Sequence, residues 1–426
     1  MSTSTIIISI NIFLVVLLAV GIAPILIWWE RRVAGFIQDR TGPNRCNIGG
    51  IRLGGLIQSL ADMLKLFFKE DFLPSHIKYK FFFTLAPILV FFCSFLTFAV
   101  IPFANDIIID GKSYMMQAIP TKLGILWFLA FAGITVYGII LGGYASANKY
   151  ALLGSIRASA QVVSYEAAMG LSIISMVITY GSIHLNDMVI YQDSLIFGFI
   201  PAWGIIIQPI AAIIFIITAF AEANRAPFDI AEGESEIVAG YHTEYSAMRF
   251  GLFQVGEYAA MSALSAIIVT ILLGGYTIPF IPQDTIQSNI YIVLFIVAII
   301  VPIKAFFLTK WIKRNNNWID KNDPRSKETK KLVKFFWITS ILISSLLILL
   351  FIIGLSTNGI NILTAIIQIT VFLIKFFLVT LFFIWIRWTL LRFRYDQLQM
   401  LGWKILLPLS ILNIFITSLI VVIKGL

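Results

Sequence analysis

The sequence predicts an all-α, polytopic membrane protein: about ten transmembrane helices in a single membrane domain, 1–426, with one amphipathic helix after the first span. Three observations carry this. Of the 426 residues, 59% are hydrophobic and only 12% charged, about half the charge of an ordinary soluble domain. Several apolar runs exceed the ~18–20 residues that a helix needs to cross a bilayer. The runs are continuous rather than alternating, so the backbone groups that lipid cannot satisfy are closed within helices rather than around a barrel.

The spans fall at roughly 5–29, 80–103, 122–144, 158–180, 202–222, 250–275, 289–311, 334–354, 362–387 and 402–423. The first is read as a retained span and not a signal peptide, because its basic flank, Arg31 and Arg32, follows it. Of the 31 Lys and Arg, 26 lie in the loops after the odd-numbered spans; three (Lys112, Lys122 and Lys424) lie on the other side, and Lys304 and Lys375 fall within spans. This bias places the odd loops on the cytoplasmic or equivalent side and both termini on the other. The net charge of +9 thus reflects topology and implies no nucleic-acid partner. Cys46 and Cys93 are far apart and form no CxxC pattern, and His76, His184 and His242 show no metal or haem spacing.

Polar residues are concentrated on the basic side. Gly42-Pro43 marks a turn in the first inner loop. Residues 49–70 follow as an amphipathic helix, with Leu53, Leu56, Ile57, Leu60, Leu64 and Phe67 on one face and Gln58, Asp62, Lys65 and Lys69 on the other. It either lies in the interface plane or walls a cavity reached from that plane. Glu166 sits about 12 Å into its helix, where a carboxylate must be neutral, paired or facing water. The stretch 222–257 holds seven of the chain's 22 acids: Glu222, Asp229, Glu232, Glu234, Glu236, Glu244 and Glu257, against Arg225 and Arg249 alone. Such density at a membrane border is either a solvated loop or a site of proton or ion handling. The basic loop after the seventh span reads as solvated and topogenic, with a phospholipid-facing patch or docking site as the sharper alternative. Lys375 lies about 18 Å from Arg387 along the ninth span, near the midplane, where it needs a carboxylate or water or else deprotonates. Lys304 is close enough to its helix end to snorkel. In the last inner loop, Arg387, Arg392 and Arg394 can anchor that loop, pair with the acidic stretch, or both.

No GxGxxG follows a strand and no GxxxxGK[ST] is present; GGIRLGG at 49–55 reads as a turn leading into a helix. No nicotinamide, flavin, haem or iron–sulfur motif appears, so electrons for any redox role come from a partner and only a membrane-soluble substrate is handled here. The absence of an inverted repeat argues against a stand-alone secondary transporter.

Five separated motifs, WERRVAGFIQDRTGPNR, IQSLADMLKLFFKED, LLGSIRASAQVVSYE, EANRAPFDIAEGESEIVAGYHTEYSAM and RFRYDQLQMLGWKILLP, stand in an order that resembles the quinone-end membrane subunit of respiratory complex I, its subunit 1. The resemblance covers about 1–280 and 360–426. It implies a proton-pumping NADH:quinone oxidoreductase in which this chain binds no redox cofactor. The quinone (ubiquinone or menaquinone) is its substrate, and NADH, FMN and iron–sulfur clusters sit on partner subunits. The implied partners are the peripheral-arm iron–sulfur and quinone-site subunits, the small and antiporter-like membrane subunits, and lipid. The implied location is a membrane, the bacterial inner membrane before the mitochondrial one.

Matched position by position, the resemblance places Glu30, Arg31 and Arg40 at the mouth of a quinone chamber and Asp62 and Lys65 on its wall. Arg225, Phe228, Asp229, Glu232, Glu234 and Glu236 fall on a loop facing the peripheral arm, and Arg387, Arg392 and Arg394 on a basic loop near the chamber. Asp62, Glu166, Glu222, Asp229, Glu244, Glu257, Tyr258 and Lys375 are expected along a proton path. The chain departs from the family pattern in an extra helix pair with its basic loop, 283–360, and in Leu391 and Gln399, where proline and methionine are usual. Other readings of the same features are a same-fold subunit of a membrane hydrogenase or other donor complex, which co-purified partners would reveal, and an independent cation transporter, which would carry ion flux alone in liposomes.

Overall fold

The computed structural model describes residues 3–49, 51–196, 198–231, 233, 238–315 and 324–424. Glu232, Glu234 and Glu236, expected on the arm-facing loop, lie outside the described residues. The first span is α1 (Thr3–Val16), a π turn over Leu17–Gly21, and α2 (Ala23–Ile37). Pro24 in the first turn of α2 suits the break, since the missing N–H is one that a helix start leaves unpaired. α2 runs past the expected end of the span and carries Glu30, Arg31 and Arg32 on its last turns.

The amphipathic helix is shorter than expected: α3 spans Ile57–Phe68. The residues before it fold as a tight turn, with an Ile48–Ile51 bridge and a 3-10 turn at Leu53–Gly55. Gly55 has φ +97°, and a Cβ there would collide with the Pro43 carbonyl, so the turn requires glycine. Leu60, Leu64, Phe67 and Phe68 of α3 are exposed.

The bundle continues with α4 (Lys80–Leu96), a small outer hairpin of β1 (Ile107–Ile109) and β2 (Lys112–Tyr114), α5 (Gly124–Ala145) and α6 (Lys149–Tyr180). Asn148 caps α6 by accepting from the Tyr150 N–H, and left-handed Gly181 ends it. After α7 (Leu185–Gln192), the short pair β3 (Leu195–Ile196) and β4 (Ile200–Pro201), and α8 (Gly204–Ile207) comes α9 (Pro209–Glu222). The remaining elements are α10 (Ala247–Leu272), α11 (Gln283–Ser288), α12 (Ile290–Asn315), α13 (Pro324–Ile353), α14 (Thr357–Thr389), α15 (Tyr395–Met400), a π turn over Leu401–Leu406, and α16 (Leu407–Lys424).

Among the described residues, nine helices are long and apolar enough to cross a membrane. The protein is thus all-α and multi-pass. The expected fifth span is realised differently: α9 has only 14 residues. Its break is at Gln208, which sits outside helical φ/ψ before Pro209, as residues preceding proline tend to. The Gln208 amide donates to Thr179 and Thr417, tying the break to α6 and α16.

α10 is the central helix. It packs against α2, α3, α4, α9 and α14, and 89% of its span is buried. Its Gly, Ala and Ser residues make this possible: a Cβ on Gly256 would sit 3.0 Å from Val90 of α4. The α12–α13 pair is the opposite case. Its two helices pack mainly on each other, and only 6% of the α13 span is buried.

Candidate functional site

The end of the bundle that carries the basic loops holds a buried charge network drawn from α2, the segment between α9 and α10, α10 itself and α14. Glu30, on the inward face of α2, is 7% exposed. One of its carboxylate oxygens forms an ion pair with Nη1 of Arg387, 2.8 Å away. The other accepts from the Tyr258 hydroxyl at 2.9 Å and lies 3.5 Å from Nη1 of Arg225. Arg225, in the loop after α9, also reaches the Glu257 carboxylate at 4.0 Å, and its guanidinium lies over the Tyr258 ring, 4.2 Å from the centroid. Glu257 accepts from the Tyr241 hydroxyl at 2.8 Å and has Nε2 of His242 at 3.7 Å. Residues 30, 225, 241–242, 257–258 and 387, scattered over most of the chain, are thus one cluster. α10 makes it possible, since Glu257 and Tyr258 lie side by side on the helix that every other contributor packs around.

Beside this cluster, Arg392 pairs with Asp229 at 2.8 Å. The Phe393 N–H donates to the Pro227 carbonyl, and buried Phe228 packs between Tyr165 and Phe393. The last inner loop is therefore clamped onto the loop after α9. Arg394 instead pairs locally with Asp396, exposed to solvent. Arg31 pairs with Asp62 across α2 and α3, and Gln58 donates to the same carboxylate. Arg40 bonds Gln38, and Lys65 is exposed on α3.

The other expected acids are placed separately. Glu222 is buried at the end of α9, with one oxygen lacking a hydrogen-bond partner among the described residues. Glu166, on the neighbouring α6, is within electrostatic reach of it. The Glu166 carboxylate points at α5, where its Oε1 would be 2.8 Å from a Cβ on Gly133. Glu244 accepts from Asn148 at 2.7 Å and lies 3.7 Å from His76. Lys375 is not joined to any of these carboxylates. Its ammonium donates to the carbonyls of Leu273, Gly275 and Thr277 at 2.7, 3.0 and 2.7 Å, beyond the end of α10, with the Trp203 ring 4.9 Å away. Among the described residues, no group of three or more His, Cys, Asp or Glu is placed to hold a metal ion.

A family profile described as "NADH dehydrogenase" matches residues 10–316 and 329–418. A first H subunit of the NADH-quinone oxidoreductase of Geobacter metallireducens is 37% identical over 414 residues, 97% of this chain and 96% of its own length. A second H subunit, from Geobacter sulfurreducens, is 38% identical over 408 residues, 96% of this chain and 94% of its own. The H subunit of Flavobacterium psychrophilum is 36% identical over 393 residues, 92% and 90%. The chain belongs to the family of NADH-quinone oxidoreductase H subunits. It is a membrane subunit of such an oxidoreductase.

The structure accommodates Leu391 and Gln399, the two expected single-residue departures, locally. Leu391 is 89% exposed. The Gln399 carbonyl accepts from Ser164, which in turn accepts from the Trp403 indole, fastening α15 to α6. The profile match runs through α12 and most of α13, leaving out 317–328. Two members of the charge network carried no expected role, Tyr241 and His242. A histidine and a tyrosine adjacent to one another inside the acid-rich stretch were the available signal; metal spacing was the wrong test for them.

Proposed function

We propose that this chain forms part of the quinone chamber of a proton-pumping NADH:quinone oxidoreductase and the first stretch of the path that couples quinone reduction to proton translocation. The observation that supports this most directly is Arg225, within ion-pair reach of two buried carboxylates on different helices. Its distances to Glu30 and Glu257, 3.5 and 4.0 Å, exceed the ~2.7–2.9 Å of a charge-assisted hydrogen bond. A shift of the guanidinium that shortens one of these pairs lengthens the other, and a nearby change of charge biases which is the shorter.

Quinone reduction supplies that charge. Two electrons, delivered through partner subunits that carry NADH, FMN and iron–sulfur clusters, leave negative charge at the headgroup until two protons arrive. Arg31 and Asp62, on α2 and α3, would face the headgroup, with Arg40 and Lys65 at the rim. Arg392–Asp229, with the acids at 232, 234 and 236, would join the chamber to the peripheral arm. As Arg225 moves towards Glu30, which keeps Arg387 as a second counter-ion, Glu257 loses the guanidinium and takes up a proton, with the Tyr241 hydroxyl and His242 as its immediate exchange partners. Glu222, Glu166 and Glu244 continue the path towards the antiporter-like subunits. The bacterial relatives support a bacterial inner membrane, with the small and antiporter-like membrane subunits as neighbours and ubiquinone or menaquinone as substrate.

The test uses the intact complex. Glu257→Gln is expected to leave assembly unchanged and to slow quinone reduction about tenfold, a barrier increase of about 1.4 kcal/mol. Arg225→Gln combined with Glu257→Gln is expected to be no slower than Arg225→Gln alone, because both act on one switch. Normal quinone reduction and normal pumping in Glu257→Gln, or losses that simply multiply in the double variant, would remove Arg225 from the mechanism.

A further inference from the structure

A cavity of about 910 Å³ lies between α2, the turn over 48–56 and the α12–α13 pair, on the face of α2 turned away from Glu30. Its wall is mainly apolar, with Trp28 and Trp311 facing into it. It adjoins a groove of about 580 Å³ between α12 and α13, and the two share Leu308, Trp311 and Phe336. The groove extends up to Val301, ten residues before Trp311 and so about 15 Å along the helix. The space thus begins at the inner helix ends and descends along the pair to the depth of hydrocarbon.

Three cations line the cavity: Arg32, Lys327 and Lys331. Among the described residues none of them pairs with a carboxylate. Arg32 donates to the Thr41 carbonyl and lies against the Phe36 ring. Lys327 and Lys331 are one helical turn apart on α13 and exposed. Among the described residues the only acid in the wall, Glu328, accepts from the backbone N–H groups of Arg52 and Gly54 at 3.0 and 3.4 Å. Tryptophans beside unpaired cations at the inner membrane border match the level of lipid headgroups.

We infer that this cavity binds one anionic phospholipid, its phosphate held by Arg32, Lys327 and Lys331 and an acyl chain laid along the α12–α13 groove. The chemistry separates this ligand from the alternatives. A quinone is neutral and gives three cations no counter-charge. A soluble acidic partner would satisfy the cations and leave the apolar groove below them empty. A phospholipid satisfies both, and it would fill the gap between the loosely packed helix pair and the body of the bundle, where Glu328 makes the described polar tie. This site is separate from the Arg225 network, and the proposal does not depend on the role given to that network.

The experiment purifies the intact complex, washes it in mild detergent, reloads it from mixed micelles of phosphatidylglycerol or phosphatidylcholine, and counts retained lipid by native mass spectrometry of the released chain. Each basic side chain near an anionic headgroup contributes about fivefold in affinity, so Lys327→Gln with Lys331→Gln is expected to weaken retention of one phosphatidylglycerol about 30-fold. Lys327→Arg with Lys331→Arg is expected to retain it, and guards against a folding defect in the first variant. Phosphatidylcholine retention is expected to be weak in all three forms. Equal retention of the two lipids, no loss in the glutamine variant, or one-for-one displacement of the lipid by a short-chain quinone would overturn the proposal.

Discussion

Glu166 and Gly133 show how much a single atom decides here. The Glu166 carboxylate occupies space that any side chain at 133 would contest, since a Cβ there would lie 2.8 Å from its Oε1. Gly133→Ala is expected to shift the carboxylate by rotation of its flexible side chain rather than to disturb the packing of α5 on α6. Alanine gains about 1 kcal/mol of helix propensity over glycine, so thermal stability should hold or rise slightly. Coupled proton translocation should fall if Glu166 lies on the path. Unchanged proton-to-electron ratios in Gly133→Ala, measured in proteoliposomes with the complete complex, would move Glu166 to a structural role. At this scale the sequence discloses which charged residues crowd together along the chain, and neither which of them are buried nor who their partners are: Arg31, Arg40, Lys65 and Arg394 are exposed, whereas Glu30 and Arg225 are buried. Glu30 sits next to Arg31 and Arg32 in the chain, yet its contacts are Arg387, Arg225 and Tyr258. Helical geometry turns adjacent side chains about 100° apart, and only the packing of α10 and α14 on α2 reveals who faces whom.

Helix ends form the next scale, and Lys375 is the instructive case. Position along the ninth span marked it as a lone cation in the membrane. The carbonyls that receive it belong to the irregular segment after α10, whose depth in the bilayer no local pattern discloses. The last carbonyls of α10 have their own donors, Gly275 N–H on Val269, Gln192 on Thr270 and Tyr180 on Ile271, so the ammonium with its three protons satisfies the irregular segment that follows, close to the negative end of the helix dipole. Lys375→Met is expected to lower stability by about 3 kcal/mol, as buried acceptors worth roughly 1–3 kcal/mol each lose their donor. The check is the melting temperature of the purified complex together with hydrogen exchange over 273–277. A fully stable Lys375→Met complex that no longer pumps would instead return Lys375 to the proton path. The short α9 was equally hidden. Its apolar composition reads as a full span, while Gln208-Pro209 interrupts it and the glutamine amide finds partners on two other helices.

The whole molecule is organised by side. The buried charges gather at the inner end because α2, α10 and α14 present them there together. The chain's own cysteines test this arrangement without new labels. Cys46 is partly exposed in the first inner loop, while Cys93 is buried in α4. With the peripheral arm stripped, a membrane-impermeant maleimide is expected to modify Cys46 in inverted vesicles and not in right-side-out cells, with Cys93 unreactive in both until the protein is denatured. Modification of Cys46 from the outer face would invert the topology. The spans were largely legible at this level, because apolar runs follow from the solvent rather than from particular neighbours, although the expected fifth span is realised as the short α9. Pair packing was not. That α13 would be almost uncovered, with 6% of its span buried, cannot be told from a composition that is apolar all round.

The π turn at Leu17–Gly21 gives the first span two independent phases. One additional residue in a helical turn rotates everything beyond it by about 100°. The half that meets the outer loops and the half that carries Glu30 are therefore indexed separately, like two dials on one shaft. Removing any one residue between 17 and 21 would merge the dials and swing Glu30 away from Arg225 and Arg387, whereas a substitution in the same five positions would leave the setting untouched.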